Sequence, residues 1–117
     1  MRISEVVFDG RAPIDGYGPG FFRVGGEVHE GALAMLPGGP EDWTGPPDAA
    51  LFVTHAEAFD VLLIGTGAEI AHPPTEMRAA LEAAGVRYEI MATPAACRTY
   101  NVLLGEGRRI AAALTPV

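Results

Sequence analysis

The segment Val61-Leu62-Leu63-Ile64, entered by Asp60 and stopped by Gly65, constrains the fold of this chain more than any other. A run so short, apolar at every position, has no face left for solvent. It reads as a central strand of a parallel sheet, covered on both sides. A helix with marked ends follows over 75–84. Thr75 can cap its first amides, Glu76 suits the positive end of its dipole, and Gly85 supplies a left-handed closing residue. Met77, Ala80, Leu81 and Ala84 form the stripe it buries. Val86 to Met91 reads as the next strand. Thr93-Pro94 then predicts a second helix, since proline at the first helical position forfeits an amide that would lack a partner anyway. That helix runs to about Glu106 and stops at Gly107, and Arg109 to Val117 reads as a last strand. Strand, crossover helix and strand in one sheet are parallel and right-handed in nearly every known case.

The first half has a different texture. Ile3 to Phe8 alternates weakly and reads as a strand, followed by a Gly/Pro-rich connection through Gly16–Gly20. Phe21–Val24 and Glu27–Leu36 are extended runs separated by Gly25-Gly26, and two glycines between alternating segments signal a tight hairpin. From Pro37 to Pro47 the chain reads as a loop around Trp43. Residues 48–58 allow a strand over Ala49–Val53 or a helix aligning Leu51, Phe52, His55 and Phe59; the helix is preferred. The sum is a single α/β domain over 1–117, with a mixed central sheet and helices packed on it. An N-terminal β-hairpin is added to it, and the short Arg108-Arg109 link leaves an antiparallel final strand open.

Charge and composition exclude several functions. The net charge is −7, and the chain contains no lysine. Nucleic acid and anionic lipid are both captured by a positive field, so neither is an expected partner. A local basic patch could form only around Arg98, Arg108 and Arg109. One cysteine, Cys97, forbids an internal disulfide and suits a reducing compartment. The start lacks the basic-then-apolar pattern of a secretory signal, and no apolar stretch reaches the ~20 residues of a membrane helix. A cytoplasmic, soluble protein is expected, its oligomeric state open.

Ligands of open α/β sheets sit beyond the carboxyl ends of the strands. Two segments leave such ends here, Gly65-Thr66-Gly67 and Ala92-Thr93-Pro94. The second enters a helix whose amides and dipole favour an anion. Arg98 adds a charge there, and Thr66, Thr93 and Thr99 add hydroxyls. Gly65, Thr66, Gly67, Thr93, Cys97, Arg98 and Thr99 are therefore the candidate ligand-binding residues, for a carboxylate or phosphate. The competing reading makes Gly65 and Gly67 a tight turn and Thr93 a cap, and it carries more weight. Cys97, near a helix start and beside Arg98, is a candidate nucleophile. Yet His29, His55 and His72 lie in or beside different elements, none identifiable as its base, and a buried thiol is the commoner outcome. No metal-ligand spacing and no dinucleotide or phosphate-loop motif occurs, so no cofactor is expected. Trp43 and Tyr17, on Gly/Pro loops, could anchor a partner or cover the core.

Three motifs in order carry a resemblance. Cys97-Arg98-Thr99-Tyr100-Asn101-Val102-Leu103-Leu104 with Glu106-Gly107-Arg108-Arg109 is similar to the closing motif of the MTH-nine-three-eight-like domain family. Leu63-Ile64-Gly65-Thr66-Gly67 with Pro73-Pro74 resembles its central motif, and Asp15-Gly16-Tyr17-Gly18-Pro19-Gly20-Phe21 its early loop. The resemblance implies a three-layer α/β fold, a mixed central sheet flanked by helices with its final strand antiparallel. It implies no catalytic mechanism; mitochondrial relatives in that family are respiratory complex I assembly factors. Residues and resemblance together favour a non-enzymatic, partner-binding or assembly-support protein over a small-molecule or anion-binding domain or enzyme.

Overall fold

The computed structural model describes residues 11–117. The strand expected at Ile3–Phe8 lies outside them. The described chain runs β1 (Ile14–Gly18), β2 (Phe21–Val24), β3 (Glu27–Glu30), β4 (Leu33–Leu36), β5 (Gly39–Asp42), α1 (Ala50–Thr54), a 3-10 turn (Ala56–Ala58), β6 (Val61–Thr66), α2 (Thr75–Ala83), β7 (Tyr88–Met91), α3 (Thr93–Gly105) and β8 (Ile110–Thr115). Strands β1-β2-β3 form a small antiparallel sheet. The main sheet has the order β5-β4-β8-β6-β7.

The main sheet is mixed, and the final strand is where its sense changes. β8 is antiparallel to β4, as expected, but parallel to β6 on its other side. Ile110 to Leu114 are each at most 1% exposed, so β8 meets hydrocarbon on both faces. Toward one face Ala112 and Leu114 pack with Leu63 of β6 and with Ala96, Cys97, Tyr100 and Leu104 of α3. Toward the other, Ala111 and Ala113 pack with Leu62, Ile64, Phe52 of α1 and Met77 and Leu81 of α2. Helices on both faces of one sheet give the three layers. The small sheet joins the α3 side through Ile14, Phe22 and Val24.

The Gly25-Gly26 turn has positive φ at both positions, 58° and 84°, the backbone a primed hairpin turn requires. It joins β2 to β3 in the register Val24↔Glu27. The long run expected over Glu27–Leu36 is divided. The Gly31 amide donates to Gly20 O at 2.9 Å, and the chain leaves the small sheet there to enter the main one as β4. Two segments read as connections are strands. β1 pairs with β2 through a register shift between Ile14 and Gly16, and β5 tolerates Pro40 because, among the described residues, it pairs with a strand on one side alone.

The 48–58 segment is helical, but broken after Thr54. The helices at 75 and 93 begin one residue earlier than capping logic expects. Pro74 and Ala92 occupy the cap positions, and neither Thr75 nor Thr93 caps with its side chain. Thr93 is instead the first helical residue and Pro94 the second.

One side chain ties the small sheet to α3. Asn101 Oδ1 accepts from the Ile14 amide at 2.8 Å, and Asn101 Nδ2 donates to Ile14 O at 2.8 Å, across 87 residues of chain. The carboxamide thus acts as a strand partner for one residue of β1. Replacement Asn101→Ala leaves both half-buried backbone groups without it, which should lower unfolding free energy by about 2–3 kcal/mol in urea titration. Asn101→Asp keeps the acceptor and loses the donor, so it should fall between. A loss under about 0.5 kcal/mol for Asn101→Ala would show that the clamp contributes nothing.

Candidate functional site

β6 and β7 are parallel neighbours in the register Gly65↔Met91. The segments that leave their carboxyl ends therefore emerge on one edge, which brings Gly65, Thr66, Gly67 and Thr93 together. How they meet decides what the edge can bind. The Thr93 amide donates to Gly67 O at 2.8 Å, and the Gly67 amide donates back to Thr93 Oγ1 at 2.8 Å. Thr93 Oγ1 in turn donates to Thr115 O at 2.6 Å. One fully buried hydroxyl thus joins the loop after β6, the start of α3 and the end of β8.

Gly65 makes this junction possible. A Cβ there would stand 2.9 Å from Thr93 Oγ1, 3.1 Å from Ala96 Cβ and 3.1 Å from Leu114 Cδ2, too close for any side chain without movement. Thr66 is also committed. Its Oγ1 donates to Glu69 O at 2.8 Å, with Met91 O farther off at 3.3 Å, and it accepts from the Ala71 amide at 3.0 Å.

An anion at the tip of α3 would use the first helical amides. Here the Thr93 amide is bonded to Gly67, Pro94 has none, and the Ala96 amide donates to Ala92 O at 3.0 Å. Only the Ala95 amide of that turn has no acceptor among the described residues. Arg98 is exposed and Thr99 half-buried on α3, and no described hydrogen bond joins either to the loop.

Cys97 packs in the α3-side core with Ala96, Tyr100 and Leu104, only 4% exposed. Burial pushes its thiol up to about 11, and the Arg98 charge offsets only part of that. A reactive thiolate needs the opposite environment. Burial likewise pushes the Tyr100 phenol up to about 12. The histidines are on β3 (His29), after α1 (His55) and in the loop before α2 (His72). Among the described residues no three His, Cys, Asp or Glu side chains assemble as metal ligands would.

Beside this edge there is a hollow of about 230 Å³, lined by Gly65, Thr66, Pro46, His72, Pro73 and Thr115 among others. Thr93, Cys97, Arg98 and Thr99 do not line it. A second hollow of about 250 Å³ lies across the same loop, between Ile70, His72 and Ile90. His72 borders both. From the sequence His72 enters only as one of three scattered histidines, although its place in the loop after a central strand is the available signal. Trp43 is buried, its Nε1 donating to Asp48 O at 2.8 Å and its ring meeting Phe52 edge-on at 5.5 Å, so it covers the core. Tyr17 is 40% exposed. Of the arginines read as a basic patch, Arg109 is paired with Asp60 at 3.3 Å.

Residues 14–115 match the family described as "Protein of unknown function (DUF498/DUF598)". An uncharacterised protein of Rhodobacter capsulatus is 52% identical over 117 residues, covering all of this chain and 94% of that protein. NADH dehydrogenase [ubiquinone] 1 alpha subcomplex assembly factor 3 of Danio rerio is 33% identical over 107 residues, 86% of this chain. The match spans 62% of that assembly factor's length. Among solved structures, an outer membrane protein from Bartonella henselae superposes with TM-score 0.82 at 41% identity, covering 95% of this chain and 100% of its own. A Mth938-like domain from Bordetella pertussis gives TM-score 0.76 at 30% identity, covering 99% and 92%. No described helix of the present chain is long and apolar enough to cross a membrane. By its motifs, its layers and these matches, the chain belongs to the DUF498/DUF598 family, whose fold is that of the Mth938-like domains.

Proposed function

We propose that this chain is a non-enzymatic protein that binds protein partners and supports assembly, acting in the cytoplasm. The observation that carries the reading is the closure of the strand-end edge on itself. Gly67, Thr93 and Thr66 spend their donors inside the chain, and the one thiol is buried and held protonated. Such an edge supports a rigid platform better than a reaction centre. The kinship with proteins named as assembly factors of NADH dehydrogenase supports the class of partner, subunits of a larger complex on their way to assembly.

A second reading, a site for a small carboxylate or phosphate at Gly65, Thr66, Gly67, Thr93, Cys97, Arg98 and Thr99, draws support from the hollow beside Gly65 and Thr66. Thr93 separates the two. As a structural junction, Thr93→Val leaves the Gly67 amide and the Thr115 carbonyl unpaired. It should lower unfolding free energy by about 2–4 kcal/mol without any ligand present. Thr93→Ser keeps the hydroxyl and should lose only about 1 kcal/mol. A Thr93→Val chain as stable as the parent, but deaf to stabilisation by phosphate or citrate that the parent shows, would favour the ligand site.

For the partner-binding reading, a tagged chain purified from its native host should retain the same stoichiometric protein partners in repeated preparations. A tag-only control that returns an indistinguishable set would overturn it. The non-enzymatic aspect makes its own prediction at Cys97. A thiol moved from 9.0 to about 11 has about a hundredfold less thiolate at pH 8, so native-state alkylation should be slower by at least that factor. The sign for stability follows. The neutral thiol is favoured by folding, so this contribution is whole below pH 9 and falls away as pH rises toward about 11. Tyr100, pushed up to about 12, extends the same alkaline loss. Alkylation of the native protein at the rate of a free cysteine would contradict both.

A further inference from the structure

A hollow larger than either of those at the strand ends, about 560 Å³, opens between α1, α2 and the 44–49 loop. Its walls are apolar and small: Pro46, Pro47, Ala50, Val53 and Ala80. Val53 is 38% exposed although nothing polar on it needs water. The size falls in the range of ligand clefts, but this is an open trough rather than an enclosed cavity, a shape suited to a stretch of another chain.

The trough is fixed before anything enters it. Thr44 Oγ1 donates to Asp48 Oδ2 at 2.7 Å, the Ala50 amide donates to Asp48 Oδ1 at 2.9 Å, and the Asp48 amide donates to Gly45 O at 3.0 Å. Trp43, bonded to Asp48 O and wedged on Phe52, anchors the loop to the core. A wall already ordered loses little conformational freedom when a partner arrives.

Its charge is of one sign. Among the described residues, Asp48 and Glu76 are its only ionisable linings, and both are acids. The two hydrogen bonds that Asp48 accepts, from Thr44 and then from Ala50, hold its carboxyl below the ordinary range, so it stays charged. Glu76 is exposed in the first turn of α2. No cation among the described residues lines the trough, and the whole chain carries −7. An occupant must bring aliphatic surface for the walls and positive charge for the rim.

Resting on the partner-binding reading above, we propose that this trough is the docking site for a segment of a protein partner in which an aliphatic side chain sits next to an arginine or lysine. The aliphatic group fills the space between Pro46, Val53 and Ala80, and the cation reaches Glu76 and Asp48. An acidic segment is repelled from the same place.

The test uses the folded, isotope-labelled chain and two defined probes, N-acetyl-leucyl-arginine amide and N-acetyl-leucyl-glutamate amide, followed by amide chemical shifts. The arginine probe should give saturable shifts concentrated at residues 44–53 and 76–80, and the glutamate probe should bind at least about threefold more weakly, the scale of one exposed ion pair. Glu76→Gln should reduce affinity for the arginine probe by a similar factor. Ala80→Arg, a well-tolerated change at an exposed helix position, should abolish its binding by filling and recharging the trough without unfolding the chain. Shifts elsewhere, equal binding of both probes, or indifference to Glu76→Gln and Ala80→Arg would overturn the proposal. A native partner that co-purifies equally with the parent and Ala80→Arg chains removes the trough and leaves the partner-binding reading standing. Absence of any partner removes that broader reading, and the probe titration then decides the trough alone.

Discussion

The main sheet depends on a strand that must be apolar on both faces and thin enough for helices to close over it. β8 meets the requirement with Ala111, Ala112 and Ala113 between Ile110 and Leu114. Alanine is a poor strand former in isolation, but here it faces β4 on one side, β6 on the other, and a helical layer above and below. Larger residues at those positions would push the layers apart. The strand is also the last element in sequence and the middle one in space. The sheet closes only when Leu33 finds Leu114, and Val61 finds Ile110, so its central contacts are among its most distant in chain order.

The Thr93 junction follows from that arrangement. With β8 between β4 and β6, the end of β8 emerges beside the loop that leaves β6, and Thr115 O arrives within reach of a hydroxyl on α3. Gly65 removes the Cβ that would hold α3 away. A strand-end edge that in many α/β proteins is left open for a ligand is here used to lock three elements together. The buried Oγ1 both accepts and donates, so its polar capacity is spent where a vacant one would be costly. Space remains to the side, against the 71–74 loop and His72.

Much of this was legible in residues alone, and what was not has a common cause. The Gly25-Gly26 turn, β6, and the bodies of α2 and α3 are local: positive φ, a continuous apolar run and helical stripes each declare themselves within ten or so residues. β1 and β5 are strands only because β2 and β4 lie alongside them; their glycines and prolines advertise loop. The division of Glu27–Leu36 at Gly31 depends on a second sheet competing for the same chain. For the candidate site, parallel pairing of β6 and β7 was enough to bring Gly65, Thr66, Gly67 and Thr93 to one edge. The fate of their donors was hidden, because it turns on Thr115, whose adjacency to β6 belongs to the tertiary fold. Thr93 looked like a cap because capping is what threonine does locally. Its hydroxyl turned inward because a carbonyl from the far end of the chain was waiting there.

Two kinds of rigidity now divide the molecule. On the α3 face, Asn101 and Thr93 hold helix, small sheet and main sheet by side-chain bonds to backbone groups, so their hydrogen bonds are made within the chain. On the α1–α2 face, Asp48 organises a loop whose apolar surface remains outside. Order in the first case consumes polar groups to close the structure. Order in the second supports a surface that no described residue covers. If a small, strongly acidic domain acts by contact rather than by chemistry, the second face is where rigidity can be converted into selectivity, since a fixed apolar wall with a single-sign rim discriminates by shape and by charge at once.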